Sequence, residues 1–197
     1  MGEIKGRTFD LLTLGQLLLR LSPPDNDRLS RGDTFVKQVG GAELNVAVGA
    51  SLLGLHTGVI SKLPSHDIGS FMKGKIRSFG VSDDFFMYDD SPSARVGIYY
   101  YENGAYPRKP KVIYDRMNSS FFSLNIDEIP KEVYTASKCF HTTGITLALS
   151  PQIRETTIEM IKRFKEAGTL VSFDVNFRGN LWTGDEAREC IERILPY

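Results

Sequence analysis

The sequence predicts an α/β fold: a parallel β-sheet flanked by helices and carrying a small antiparallel β lid. Two patterns predict it. Strand-like and helix-like segments alternate from Phe9 to Phe79 and again from Lys138 to Asp174, the rhythm of a parallel sheet covered on both faces. Between these blocks, Phe85 to Tyr88, Arg95 to Tyr101 and Lys111 to Asp115 are rich in β-branched and aromatic residues with turn residues between them, the composition of antiparallel strands. An excursion of that kind suits a lid over the carboxyl ends of the parallel strands, where α/β proteins bind ligands.

Each element has its own signal. Phe9-Asp10-Leu11-Leu12-Thr13-Leu14 is a short apolar run ending at Gly15, the pattern of a central buried strand. Pro23-Pro24-Asp25-Asn26-Asp27 reads as a turn. After Gly40-Gly41, Leu44, Ala47, Val48, Leu52 and Leu53 recur at helical spacing, and Gly54 is a stop signal. Val59-Ile60-Ser61 makes the next strand, followed by an amphipathic helix around Ile68 to Phe79. Late in the chain, Lys138 to Thr142 is a strand, Pro151 to Ala167 a helix closed by Gly168, and Leu170 to Asp174 a strand. A last helix, Glu186 to Leu195, runs into Pro196-Tyr197 where a further strand is expected, so the sheet reads as unfinished within these residues.

A chain of 197 residues, 41% hydrophobic and with no formal net charge, can bury one core. Its Lys and Arg are scattered, which argues against nucleic acid as a partner. Arg108, Lys109 and Lys111 form the one basic cluster, readable as a solvated hairpin flank or as an anion site. No apolar run approaches the roughly 20 residues that span a bilayer, and the amino terminus lacks the apolar core of a secretory leader. No membrane partner and a cytoplasmic location are therefore expected. Cys139 and Cys190 match no ligand or redox spacing and read as reduced structural thiols. His56, His66 and His141 make no metal set, and no metal site is expected; His141, among strand residues, reads as a core imidazole.

The most informative stretch is Gly40-Gly41-Ala42-Glu43-Leu44-Asn45. A glycine pair lets a hydroxylated ligand approach backbone N–H groups, and the helix behind it adds the positive end of its dipole. Asn45, one turn into that helix, offers a donor and an acceptor. Taken alone, the same residues also describe a tight turn before a buried helix. Their continuation is more specific: Gly40 to Gly69, GGAELNVAVGASLLGLHTGVISKLPSHDIG, resembles the first signature of the PfkB/ribokinase-like carbohydrate kinases in residue types and spacing. Three further stretches narrow the resemblance to 2-keto-3-deoxygluconate kinases, Leu19 to Pro23 (LRLSP), Val112 to Ser119 (VIYDRMNS) and Asp174 to Trp182 (DVNFRGNLW), and together with Thr143 to Thr146 (TGIT) they span nearly the whole chain.

The resemblance implies a ribokinase-like fold, with residues 1–197 as the amino-terminal portion of one α/β domain and lid strands mainly from 85–115. It implies an enzyme that phosphorylates 2-keto-3-deoxygluconate at its terminal hydroxyl, using ATP and Mg2+. Gly40, Gly41 and Asn45 would then meet the sugar, Tyr99, Tyr114 and Arg116 would hold the sugar acid from the lid, Ile145 would line the pocket, and Arg178 would stand near the carboxylate or the transferred phosphoryl group. Arginine suits both, because it stays charged and pairs bidentately with such groups. Taken singly, Tyr99 is also a strand-face aromatic, Arg116 a partner for Asp115, and Ile145 ordinary core. Asp174 and Asn176 read as a strand-end cap, and Trp182 as a residue packed against the helix.

The family's second signature, a DTxGAGD-like loop with the catalytic aspartate, is not found in these residues. That aspartate and most of the nucleotide pocket are expected beyond Tyr197, leaving this chain alone with little turnover. A non-catalytic sugar-acid-binding module and a kinase for another sugar such as fructose are the alternatives. Self-association through the lid is also implied by the resemblance. One departure stands out: these kinases usually carry Gly-Glu after the first strand, and here the pair is Gly15-Gln16, which gains donors and loses a charge.

Overall fold

The computed structural model describes residues 6–197; the reading of the amino terminus extends over residues 1–5, which lie outside them. Apolar side chains on both faces make β1 (Phe9–Leu14) the middle of the main sheet, with Leu12 and Leu14 fully buried. The chain continues through β2 (Leu18–Ser22), β3 (Val36–Gly40), α1 (Ala42–Leu52), β4 (Thr57–Pro64) and α2 (Asp67–Arg77). Then come β5 (Val81–Ser82), β6 (Phe86–Asp89), β7 (Gly97–Glu102) and β8 (Lys111–Asp115). The last block is α3 (Val133–Ala136), β9 (Ser137–Thr143), α4 (Gly144–Ala148), α5 (Pro151–Glu166), β10 (Leu170–Asp174) and α6 (Gly184–Glu192).

The main sheet runs β10-β9-β1-β4-β5, with every neighbouring pair parallel. Its core is centred on Phe140 of β9, stacked on Phe164 of α5 with ring centroids 4.1 Å apart. Helix α5 starts where the sequence places it, because the Ser150 hydroxyl accepts the Ile153 N–H at 3.2 Å and Pro151 fits the first turn. Helix α6 begins two residues earlier than its apolar pattern suggests, since Thr183 and Glu186 form a reciprocal capping box. Among the described residues no helix is long and apolar enough to cross a membrane.

The second sheet runs β3-β2-β7-β8, antiparallel in its outer pairs and parallel between β2 and β7. Two expectations are corrected here. Phe85 to Tyr88 does not join this lid: β6 pairs in parallel with β4, Ser61 opposite Phe86, and buries Phe86 and Met87 in the main body. Its place in the lid is taken by β2 and β3, whose composition gave no separate strand signal.

A third correction concerns α1. Leu52 and Leu53, expected on its buried stripe, are 76% and 85% exposed. At roughly 100° per residue they lie about 80° and 180° round from Leu44. Ser51 continues the stripe instead, its hydroxyl donating to the Phe79 carbonyl at 3.0 Å.

Candidate functional site

Strand register decides which lid residues face inward. Gln38, Arg20, Tyr99 and Tyr114 are direct partners across β3, β2, β7 and β8, so they share one face. Tyr101 and Val112, paired two positions along, share it too. This face closes over a cleft of about 300 Å³, at the small end for a small-molecule site. The opposite wall is built from Gln16 after β1, the first turn of α1, Ile145 after β9 and Arg178 after β10. These positions follow the carboxyl ends of parallel strands, where an α/β sheet opens.

The glycine pair is required by close approach. A Cβ at Gly41, where φ is +157°, would stand 3.0 Å from the Gln16 carbonyl oxygen. One at Gly40 would stand 2.6 Å from the Tyr99 hydroxyl. All the residues singled out in the sequence except Gly40 line the cleft, and Gly40 lies beneath Tyr99. Asn45 reaches it from an exposed position on α1, and Ile145 is half-buried, its N–H donating to the Thr143 hydroxyl at 3.1 Å. Arg178 is exposed, with Nη1 donating to the Phe177 carbonyl at 2.9 Å.

Arg116 is held by Gln16, not by Asp115. The Gln16 amide donates to the Arg116 carbonyl at 2.9 Å and to the Ser119 hydroxyl at 2.7 Å, while its oxygen accepts Arg116 Nε at 2.8 Å. Asp115 pairs with Arg95 at 2.8 Å. Both donors and the acceptor of one buried amide are thus used, and a carboxylate there could not donate to that carbonyl. Burial draws the Arg116 guanidinium down from its ordinary value, with Tyr114 and Glu43 acting in the other direction. Burial likewise pushes the Tyr99 phenol up, against the pull of the Arg20 charge.

Sequence reasoning missed two polar groups of the cleft. Glu43 is 2% exposed, and one of its oxygens accepts the hydroxyls of Thr143 and Thr146, each at 2.7 Å. Burial pushes its carboxyl above the usual carboxylate range, while these hydroxyl donors pull it back. A signal existed: Glu43 lies four residues before Ala47, on the inward stripe of α1. Arg20, the other, alternates with Leu19 and Leu21 along β2, the mark of a side chain turned to the opposite face.

Other residues settle outside the cleft. Asn176 donates its N–H to the Asp174 carboxylate at 2.9 Å, a local turn. His141 is buried, with Nδ1 2.9 Å from the Ser172 hydroxyl, and burial lowers its pKa. Trp182 packs in the core at 5% exposure. The donor set of the cleft suits a small anion. Among the described residues no three His, Cys, Asp or Glu side chains are grouped to hold a metal ion.

Known proteins share this sequence and fold. Residues 8–197 match the profile described as pfkB family carbohydrate kinase. The chain is 39% identical over 189 residues to a 2-dehydro-3-deoxygalactonokinase of Haloferax volcanii, covering 96% of this chain and 58% of that protein. The crystal structure of a 2-dehydro-3-deoxygluconokinase from Thermotoga maritima superposes with a TM-score of 0.88 at 35% identity, over 93% of this chain and 56% of that one. An uncharacterized sugar kinase from Pyrococcus horikoshii, solved in complex with ATP, gives a TM-score of 0.78 at 29% identity, over 93% and 58% of the two chains. The chain therefore spans little more than half the length of the relatives it matches.

Proposed function

We propose, from the premise that this chain belongs to the pfkB family of carbohydrate kinases, that its cleft binds the acceptor of a sugar-acid kinase, of the 2-keto-3-deoxyhexonate class with 2-keto-3-deoxygluconate as the leading substrate. The observation that carries this reading is electrostatic. Arg20, Arg116 and Arg178 line one small cleft, and none has a carboxylate within ion-pair distance among the described residues. Three guanidinium groups face one carboxyl, Glu43, whose burial disfavours its charge, and this surplus of positive charge in a partly dry site favours an anionic ligand over a neutral sugar.

On this reading the chain contributes binding and orientation. Arg116, fixed by Gln16, receives the carboxylate from the lid side, with Arg178 facing it across the cleft. Tyr99 and Tyr114, ring centroids 5.9 Å apart, cover the carbon chain and exclude water. Gly41 offers bare backbone and Asn45 its amide to the hydroxyls. In a kinase of this family, ATP with Mg2+ would supply the transferred phosphoryl group. Holding the acceptor hydroxyl in one orientation is this chain's contribution to the rate.

Calorimetric titration of the protein in its full natural length tests the reading, with 2-keto-3-deoxygluconate, its galacto counterpart and fructose as ligands. At least one acid should bind about tenfold or more tightly than fructose, and Arg178→Ala should weaken the acid selectively. Fructose binding as tightly as either acid would sink the sugar-acid assignment.

A further inference from the structure

We infer that Arg20 is a specificity-determining residue, a second lid guanidinium that grips the carboxylate of the acceptor alongside Arg116. This rests on reading the cleft as a sugar-acid site. Arg20 stands on the cleft face of β2, in register with Tyr99, and lines the cavity itself.

Arg20 and Arg116 are built alike. Each donates its Nε to a neutral oxygen, Arg20 to the Ser22 hydroxyl at 2.9 Å and Arg116 to the Gln16 amide at 2.8 Å. Each lies against a tyrosine ring, Arg20 4.3 Å from the Tyr101 centroid and Arg116 5.6 Å from that of Tyr114. A neutral anchor fixes the plane of the guanidinium and leaves its charge intact. Elsewhere several arginines are neutralised, Arg95 by Asp115, Arg108 by Glu102, Arg163 by Glu159 and Arg193 by Glu155, while Arg154, with Nε on the Leu147 carbonyl and its guanidinium over Trp182, shares the neutral anchor away from the cleft. What sets Arg20 and Arg116 apart is their place: both line the one cleft, where an anion from outside can reach them. An arginine whose Nε is occupied still offers its Nη edge, which matches a carboxylate bidentately.

A purely structural role, as a brace for Tyr101 and Tyr99, makes a different prediction, since loosening the lid weakens every ligand alike. Titrations of 2-keto-3-deoxygluconate and of fructose into wild type, Arg20→Gln and Arg20→Lys, all in the full natural chain and each checked for wild-type thermal unfolding, separate the two. Arg20→Gln should lose about 10- to 100-fold in affinity for the acid and less than about twofold for fructose, and Arg20→Lys should recover part of the loss by restoring charge without the fork. Equal losses for both ligands, or no loss for the acid, would overturn the role of Arg20 while leaving the sugar-acid site standing. A wild-type protein that preferred fructose would overturn the sugar-acid reading itself, and Arg20's role with it.

Discussion

The two sheets of this molecule are made of similar residues and put to opposite uses. In β1 of the main sheet, Leu12 and Leu14 have no exposed surface, whereas in β8 of the lid every residue is exposed. Fully burying a Leu or Phe side chain contributes roughly 1.5–3 kcal/mol, so stability is concentrated where helices cover the sheet. The lid is a display surface on one face only: that face carries the half-buried Arg20, Tyr99 and Tyr101 and the exposed Tyr114 to the ligand space, while Leu19 on the other face is buried with Leu44, Met72 and Ile76 of the helices. Apolar or aromatic composition alone does not distinguish a buried face from a displayed one; coverage by helices does, and in the lid it reaches only the face that carries Leu19.

The sharpest way to break this comparison is Phe164→Ala. Phe164 is fully buried, stacked on Phe140 and edge-on to Tyr134 at 5.1 Å. Its loss should cost about 3–5 kcal/mol in urea unfolding, and a cost under about 1 kcal/mol would show that the main sheet does not hold the fold.

A smaller effect belongs to the junction of core and cleft. Burial raises the Glu43 carboxyl above its ordinary 4.5. A carboxyl raised on folding holds its proton longer in the folded state, so its contribution to stability falls as pH climbs from the ordinary value through the raised one. Glu43→Gln removes that titration and keeps an oxygen for the threonine hydroxyls. Its stability should therefore fall less than that of wild type as pH rises above about 4.5, and parallel curves would mean that Glu43 ionises as freely folded as unfolded.

Smallest in stability should be Tyr114→Ala, at a side chain 51% exposed. Unfolding free energy should change by no more than about 0.5 kcal/mol while affinity for the acid falls severalfold. A destabilisation approaching that of Phe164→Ala would erase the distinction between the sheets.

Legibility in the sequence followed the same division. The alternation that marks the main sheet is enforced by burial, so β1, β9, α5 and β10 could be read within a residue or two of their bounds. In the lid, pairing partners come from far apart in the chain: β2 and β3 join β7 and β8 across all of α1 to β6, and nothing local in Leu18–Ser22 announces that partnership. The aromatic run at Phe85 to Tyr88 misled for the same reason, since strand character is local and sheet membership is not. Most cleft residues were accessible through the family resemblance. Glu43 and Arg20 were not, because their significance lies in what they touch or leave untouched.

The base of the lid is narrow. Leu18 pairs with both Gly40 and Gly97, and a Cβ on Gly97 would meet Leu18 at 2.6 Å, Gln16 at 3.0 Å and Arg116 at 3.3 Å. All four strands are thus rooted in one cluster, while Glu102 near the far end is tied to Arg108 and to the Leu29 N–H. A turn of such a plate about its root would be amplified at the rim. A five-residue strand at roughly 3.3 Å per residue makes an arm of about 17 Å, so a rotation of about 10° at the root carries the rim about 3 Å. In such a turn the side chains around Gln16 would be the fulcrum, so a sub-ångström adjustment there would be read as ångströms at the mouth.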